Sequence, residues 1–281
     1  MEILQTLAEL NQWRRPIKIK SIGFVPTMGA LHDGHLSLMR AAKKQNDLSI
    51  CSIFVNPTQF NEASDLEKYP RTVEADIALL ESVATDAVFI PKAAEIYPED
   101  GFDIPVFQLD HLTNTLEGAH RPGHFEGVVQ VVYRLLDLVS PHRLYMGLKD
   151  FQQQAIIAEM LRQMRSNISL VPCPIQRAAD GLAMSSRNRR LSTEERRIAP
   201  DIYQVLKKTK AEWQAAKSPS EIQANAINQL ELAGFEVDYF EIVDAKTLAT
   251  VPMFDTSVQA IACVAAWLGA IRLIDNMKLS E

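Results

Sequence analysis

Residues 21–35 read SIGFVPTMGALHDGH, and the first six of them, Ser21 to Pro26, form a short apolar run closed by a proline. Such a run has the length and content of a strand buried on both faces. The loop that follows holds Gly29 and Gly34, and from His35 to Gln45 the apolar residues recur with the helical period. A strand, a tight loop and an amphipathic helix in that order open a parallel β-α-β unit. The same alternation continues outward. Leu48 to Val55, Ala87 to Ile90, Arg143 to Met146 and Ile168 to Pro172 read as strands, and Thr72 to Val83, Phe125 to Leu138 and Phe151 to Arg165 as helices. The expected fold class is therefore α/β, a parallel sheet with helices on both faces.

Beyond Gln176 the pattern changes. A basic, Ser-rich loop, Met184 to Arg190, precedes a charged helix starting at Ser192, where Ser192 and Glu195 have capping-box spacing. Val237 to Val243 and Val258 to Ile274, with a turn near Leu268 to Ala270, read as a small antiparallel sheet. Residues 1–176 are expected to form one domain and 177–281 a smaller α+β domain. The opening stretch, Met1 to Arg15, reads as an amphipathic helix without the unbroken apolar core of a secretory signal.

Charge limits the partners. Lys and Arg total 29 against 35 for Asp and Glu, a net charge of -6, which argues against a broad grip on nucleic acid. Any anionic ligand must be met locally. Cys51, Cys173 and Cys263 stand far apart, so neither a disulfide framework nor a cysteine-built zinc site is indicated, and a reducing cytoplasm is the expected location. The longest apolar run, Ala260 to Ile271, is far short of the roughly 20 residues that span a bilayer. No membrane partner is expected.

Two nucleotide motifs fail. No pair of glycines lies two apart, so the dinucleotide fingerprint is absent. Gly29 and Gly34 have the spacing of a phosphate-binding loop, but His35 and Leu36 replace its lysine and hydroxyl. What remains is His32-Asp33-Gly34-His35 where the loop enters the helix. Helix-start amides, the positive end of the helix dipole and two imidazoles could all meet an anion there. In the plainer alternative one histidine caps the turn and the other faces solvent. A second cluster, Asp180 to Asn188, offers Ser185, Ser186 and Arg187, which suit phosphates as well as they suit an ordinary polar loop. His120 and His124 have the spacing of metal ligands on a helix, but Pro122 and Gly123 interrupt it. Asp150 and Gln153 also fit a helix start.

Taken together, PTMGALHDGH (26–35), FVNPTQF (54–60), YPRT (69–72), EGAHRPGHFEGV (117–128), GLKDFQQ (147–153) and DGLAMSSRN (180–188) resemble the pantothenate synthetase (pantoate-beta-alanine ligase) family. That family lies within the nucleotidylyltransferase and class I aminoacyl-tRNA synthetase superfamily. The resemblance implies a Rossmann-like first domain that binds ATP and pantoate, and a second domain that closes over the site. It implies condensation of pantoate with beta-alanine through a pantoyl adenylate, in pantothenate biosynthesis on the coenzyme A pathway. ATP is a substrate, Mg2+ accompanies it, and the enzyme is a homodimer.

Carried onto this sequence, Met28, Gly29, Ala30, Leu31, His32, Asp33, Gly34 and His35 correspond to ATP contacts, as do Gly147, Leu148, Lys149, Asp150, Gln176, Met184, Ser185, Ser186 and Arg187. His35, His32, Lys149, Ser185 and Arg187 are the implied catalytic set, with His35 as an acid. Pro26, Thr27, Asn56, Gln59 and Gln153 fall on the pantoate side. Asp76 is a candidate metal contact, although an Asp in a first helical turn also serves the helix dipole. Where the family has Pro-Met-Gln-Phe, this chain has Thr58. Two rival readings are another adenylyl-transferring enzyme and a nucleotide-binding protein without chemistry. Transfer-RNA binding is disfavoured by the acidic balance.

Overall fold

The computed structural model describes residues 1–17, 19–60 and 66–280, and the chain folds as two compact units. The first comprises Met1–Gln108, Pro122–Leu148 and Ile156–Pro174; the second comprises Leu109–Arg121, Lys149–Ala155 and Ile175–Glu281.

Among the described residues the first unit holds a six-stranded parallel sheet: β1 Glu2–Leu4, β2 Ile22–Thr27, β3 Leu48–Ile53, β4 Ala87–Phe89, β5 Arg143–Gly147 and β6 Ser169–Cys173, in the order β1-β4-β3-β2-β5-β6. The crossovers are helical: α2 Asp33–Gln45, α3 Val73–Ser82, α4 His124–Val139 and α5 Phe151–Gln163, preceded by α1 Leu7–Arg14. The chain runs outward from β2 to β3 and β4, then returns to the far side of β2 as β5. The strand order therefore reverses between β2 and β5, the place where ligands gather in open α/β sheets. Phe24, Val25, Ile50, Cys51, Val88, Leu144 and Tyr145 are fully enclosed, which is why these strands read as near-continuous apolar runs.

The second unit carries an antiparallel sheet of β7 Glu236–Asp244, β8 Ala260–Leu268 and β9 Ile271–Lys278, with α6 Thr193–Ile198, α7 Asp201–Gln214 and α8 Pro219–Leu232. Its core joins Ile202, Leu206, Trp213, Ile222 and Leu230 to Phe240, Ile242, Val264 and Leu273. Ser192 and Glu195 form the expected capping box at α6.

Two expectations need correction. The opening stretch is not one helix: Glu2–Leu4 pairs with β4 as an edge strand, and the helix starts only after Thr6, whose side chain and that of Glu9 form a capping box. The last strand does not stop at Ile274 but continues through Asp275 and Asn276, which pair with Val264 and Cys263.

Candidate active site

The loop between β2 and α2 is built by a carboxylate. Asp76, in the first turn of α3 and buried, accepts the N–H of Ala30 at 2.9 Å on one oxygen and that of Leu31 at 2.8 Å on the other, and Thr72 donates its hydroxyl at 3.1 Å. Gly29 and Ala30 both have positive φ, 79° and 50°. A side chain at position 29 would be strained, and its Cβ would meet Asp76 Oδ2 at 3.0 Å, so glycine is needed there.

The neighbouring amides are also spoken for. Gly29 donates to the Thr27 hydroxyl at 3.2 Å, and His35 N–H to the His32 carbonyl at 2.8 Å. His32 is the N-cap of α2: its Nδ1 accepts the Gly34 N–H at 3.1 Å, while the Nδ1 of His35 accepts the His32 N–H at 3.3 Å. Sequence reasoning expected unpaired helix-start amides to meet an anion; those of Gly29 to His32, Gly34 and His35 bond within the protein instead. The imidazoles gain what the backbone loses. A neutral ring that accepts at Nδ1 carries its proton at Nε2, so both rings, with centroids 4.1 Å apart, are set as Nε2–H donors. Capping and ligand binding are thus compatible in the same two side chains.

Elsewhere in the same unit, Asn56 is a buried hub. Its Oδ1 accepts the hydroxyls of Tyr97 at 2.7 Å and Thr58 at 3.1 Å; its Nδ2 donates to Gly127 O at 3.1 Å and Gln59 Oε1 at 3.3 Å. Gln59 in turn donates to the Met28 sulfur at 3.1 Å, and its carbonyl accepts the Nδ1 proton of His124 at 2.8 Å. The approach of α4 requires Gly127, since a Cβ there would collide with the Thr58 carbonyl oxygen. The structure therefore brings Met28, Asn56 and Gln59 together, with Thr58 replacing a methionine by a hydroxyl that joins the hub. Sequence reading missed Tyr97.

A 3-10 turn, Leu148–Asp150, leads into α5. Lys149 Nζ lies 3.8 Å from Asp150 Oδ1, and the Lys149 carbonyl accepts from Asn276 Nδ2 at 3.0 Å. Gln152 is buried and fully used: it donates to the carbonyls of Leu112 at 2.7 Å and Thr115 at 2.8 Å and accepts the Glu117 N–H at 2.9 Å. The Ser-Ser-Arg loop is anchored at its base, where Met184 N–H bonds to Gln176 O at 2.9 Å. Ser185 caps the turn Ser186–Arg190 by accepting the Arg187 N–H at 3.3 Å, which leaves its own proton to donate.

Arg177 forks onto Asp275, with one bond of 2.9 Å, gives a further bond to Gly181 O at 3.1 Å, and stacks 4.2 Å above the Tyr203 ring. Asp275 is almost wholly enclosed; burial pushes its carboxyl up, against the pull of Arg177. Asn276 and Asp275, neither singled out by sequence, thus tie the carbonyl of Lys149 and the base of the Ser-Ser-Arg loop to one strand.

Glu117 has a structural set of partners: Tyr239 OH at 2.9 Å, Arg272 at 2.7 Å and Arg121 at 3.6 Å. Burial opposes its ionisation, but Arg272, Tyr239 and Arg121 together hold its carboxyl below the usual range. His120 packs against Tyr239, with ring centroids 5.3 Å apart. Among the described residues no group of three or more His, Cys, Asp or Glu could hold a metal ion, and no helix is long and apolar enough to cross a membrane.

Comparison with known proteins gives a consistent result. The model of the family described as pantoate-beta-alanine ligase matches residues 2–278. The pantothenate synthetases of Porphyromonas gingivalis and Bacteroides thetaiotaomicron are each 45% identical over 284 residues, covering the whole of both chains. The crystal structure of pantothenate synthetase from Thermus thermophilus superposes with a TM-score of 0.93 at 40% identity, again over 100% of each chain. That of pantoate-beta-alanine ligase from Francisella tularensis, complexed with beta-gamma ATP and beta-alanine, gives a TM-score of 0.84 at 35% identity, covering 99% of this chain and 98% of the other.

Proposed function

The chain belongs to the pantoate-beta-alanine ligase family, and from that premise we propose how its residues divide the work. It is an ATP-dependent ligase that condenses (R)-pantoate with beta-alanine, giving pantothenate, AMP and pyrophosphate. In the proposed first step a pantoate carboxylate oxygen bonds to the α-phosphorus of ATP as the bond to the pyrophosphate oxygen breaks. In the second the neutral amine of beta-alanine attacks the acyl carbon of the pantoyl adenylate, the bond from that carbon to the phosphate oxygen breaks with its electron pair going to AMP, and the amine sheds a proton.

Negative charge grows on the phosphate oxygens in the first step, so the site needs fixed donors rather than a nucleophile. The observation that carries this reading is the pair of Nε2–H donors, His32 and His35, locked at the start of α2. Lys149, Ser185, Ser186 and Arg187 are proposed to serve the same nucleotide, together with the backbone of Gly147 to Asp150 and of Gln176 and Met184. Met28 to Leu31, Asp33 and Gly34 complete the ATP contacts. Pro26, Thr27, Asn56, Gln59 and Gln153 are proposed to hold pantoate; neutral amides and hydroxyls suit a hydroxy acid. Mg2+ is taken to arrive with the ATP phosphates, where it screens their charge.

A cytoplasmic homodimer belongs to this proposal on the strength of the family resemblance. The adenylate is tested without beta-alanine. Labelled pyrophosphate is expected to exchange into ATP when pantoate is present and not when it is omitted. Exchange that ignores pantoate would remove the intermediate.

A further inference from the structure

The amide bonds of the β2–α2 loop point to a role for Asp76 that the chemistry above does not use. Two consecutive amides beside a residue of positive φ make the concave backbone site in which phosphate-binding loops hold their ligand. Here that concavity already contains an acceptor: the Asp76 carboxylate takes the N–H groups of Ala30 and Leu31, and the Thr72 hydroxyl orients it from the residue just before α3. Ala30 sits at φ 50°, a conformation an alanine adopts only when its surroundings hold it. The two residues after Ala30 are Leu31, whose side chain is fully enclosed, and His32, the N-cap.

We propose that Asp76 is a positioning residue for the ligase reaction. It fills the loop's backbone anion site, so that the nucleotide phosphates meet the Nε2–H groups of His32 and His35 instead of the loop amides, and it holds His32 where the cap bonds fix both tautomers. The inference rests on the ligase reading, and it gives Thr72 of the YPRT segment a function. It differs from metal ligation by Asp76, because the carboxylate acts through the loop and not on Mg2+.

The test is Asp76→Asn, nearly the same in shape, which puts an N–H₂ donor against one of the two amides. Long-range proton–nitrogen correlation spectra of the free protein, labelled in its histidine rings, report which nitrogen carries each proton. The unmodified protein is expected to show protonated Nε2 on both His32 and His35, and the variant to lose that single tautomer on at least one. Pantoate-dependent pyrophosphate release is expected to fall about 10²-fold in kcat, the scale of a misplaced reacting geometry, with the KM for ATP moving less than about threefold.

Should Asp76→Asn not fold, Thr72→Val, which removes one hydrogen bond to the carboxylate, is expected to act in the same direction with a severalfold loss. Unchanged tautomers in whichever variant folds, or turnover restored by raising Mg2+, would overturn the proposal. If the unmodified protein itself showed no pantoate-dependent release, the ligase reading would fail while the ring spectra still decided the role of Asp76.

Discussion

Replacing His35 by alanine is expected to lower pantoate-dependent pyrophosphate release by about 10²–10³-fold, the range observed when one preorganised donor to a developing oxyanion is removed. His35 does two things, and the variants separate them. Its Nδ1 accepts the His32 N–H at 3.3 Å, which contributes to the helix start, and its Nε2–H is the proposed phosphate donor. Alanine removes both, adding a loss of about 1 kcal/mol of stability for the cap. Asparagine keeps an acceptor near the Nδ1 position and has nothing at Nε2. His35→Asn is therefore expected to fold as stably as the parent while losing as much turnover as His35→Ala. Single-turnover measurement of pyrophosphate release with saturating pantoate distinguishes the outcomes, and parental turnover in His35→Asn would remove this histidine from the chemistry.

The second large effect concerns stability. Arg177→Ala leaves the Asp275 carboxylate enclosed without its fork of hydrogen bonds, and breaking a buried pair in this way costs about 3–5 kcal/mol. The loss depends on pH, and its sign follows from burial. Without Arg177 the folded-state carboxyl rises further above its unfolded value near ~3.9, so the folded variant is relatively better off when Asp275 is protonated and loses stability as pH rises. The deficit in urea unfolding is thus expected to be largest near neutral pH and to shrink toward about pH 4. The double variant Arg177→Met with Asp275→Leu removes both charges and is expected to recover most of the loss. A deficit that stays constant with pH would contradict the ion-pair account.

Much of the architecture was legible in local pattern. Strands β2, β3 and β5 are buried on both faces and punctuated by Gly, Pro and Asn, so apolar runs and helical periods alternate visibly. Strand β1 was not legible, because three residues carry no period and its place is set by pairing with β4, distant in sequence. Asp275 and Asn276 looked like a strand end, since both residue types are rare in strands; only the Arg177 fork and the Lys149 carbonyl explain their burial there. At the site, His32 and His35 stood out through their spacing. The destination of the loop amides did not, because Asp76 lies 45 and 46 positions from Leu31 and Ala30. Local spacing identifies the donors, while tertiary contacts decide which of them remain for a ligand.

In the proposed order of events this chain activates pantoate with ATP before joining it to beta-alanine. The most direct measurement follows AMP, pyrophosphate and pantothenate together as purified protein, MgATP, pantoate and beta-alanine are added in turn. Expected are no pyrophosphate without pantoate, about one pyrophosphate released and one pantoyl adenylate held per active site with pantoate alone, and continuous one-to-one formation of AMP and pantothenate once beta-alanine is present. AMP formation indifferent to pantoate, or pantoate consumed without pantothenate appearing, would contradict it.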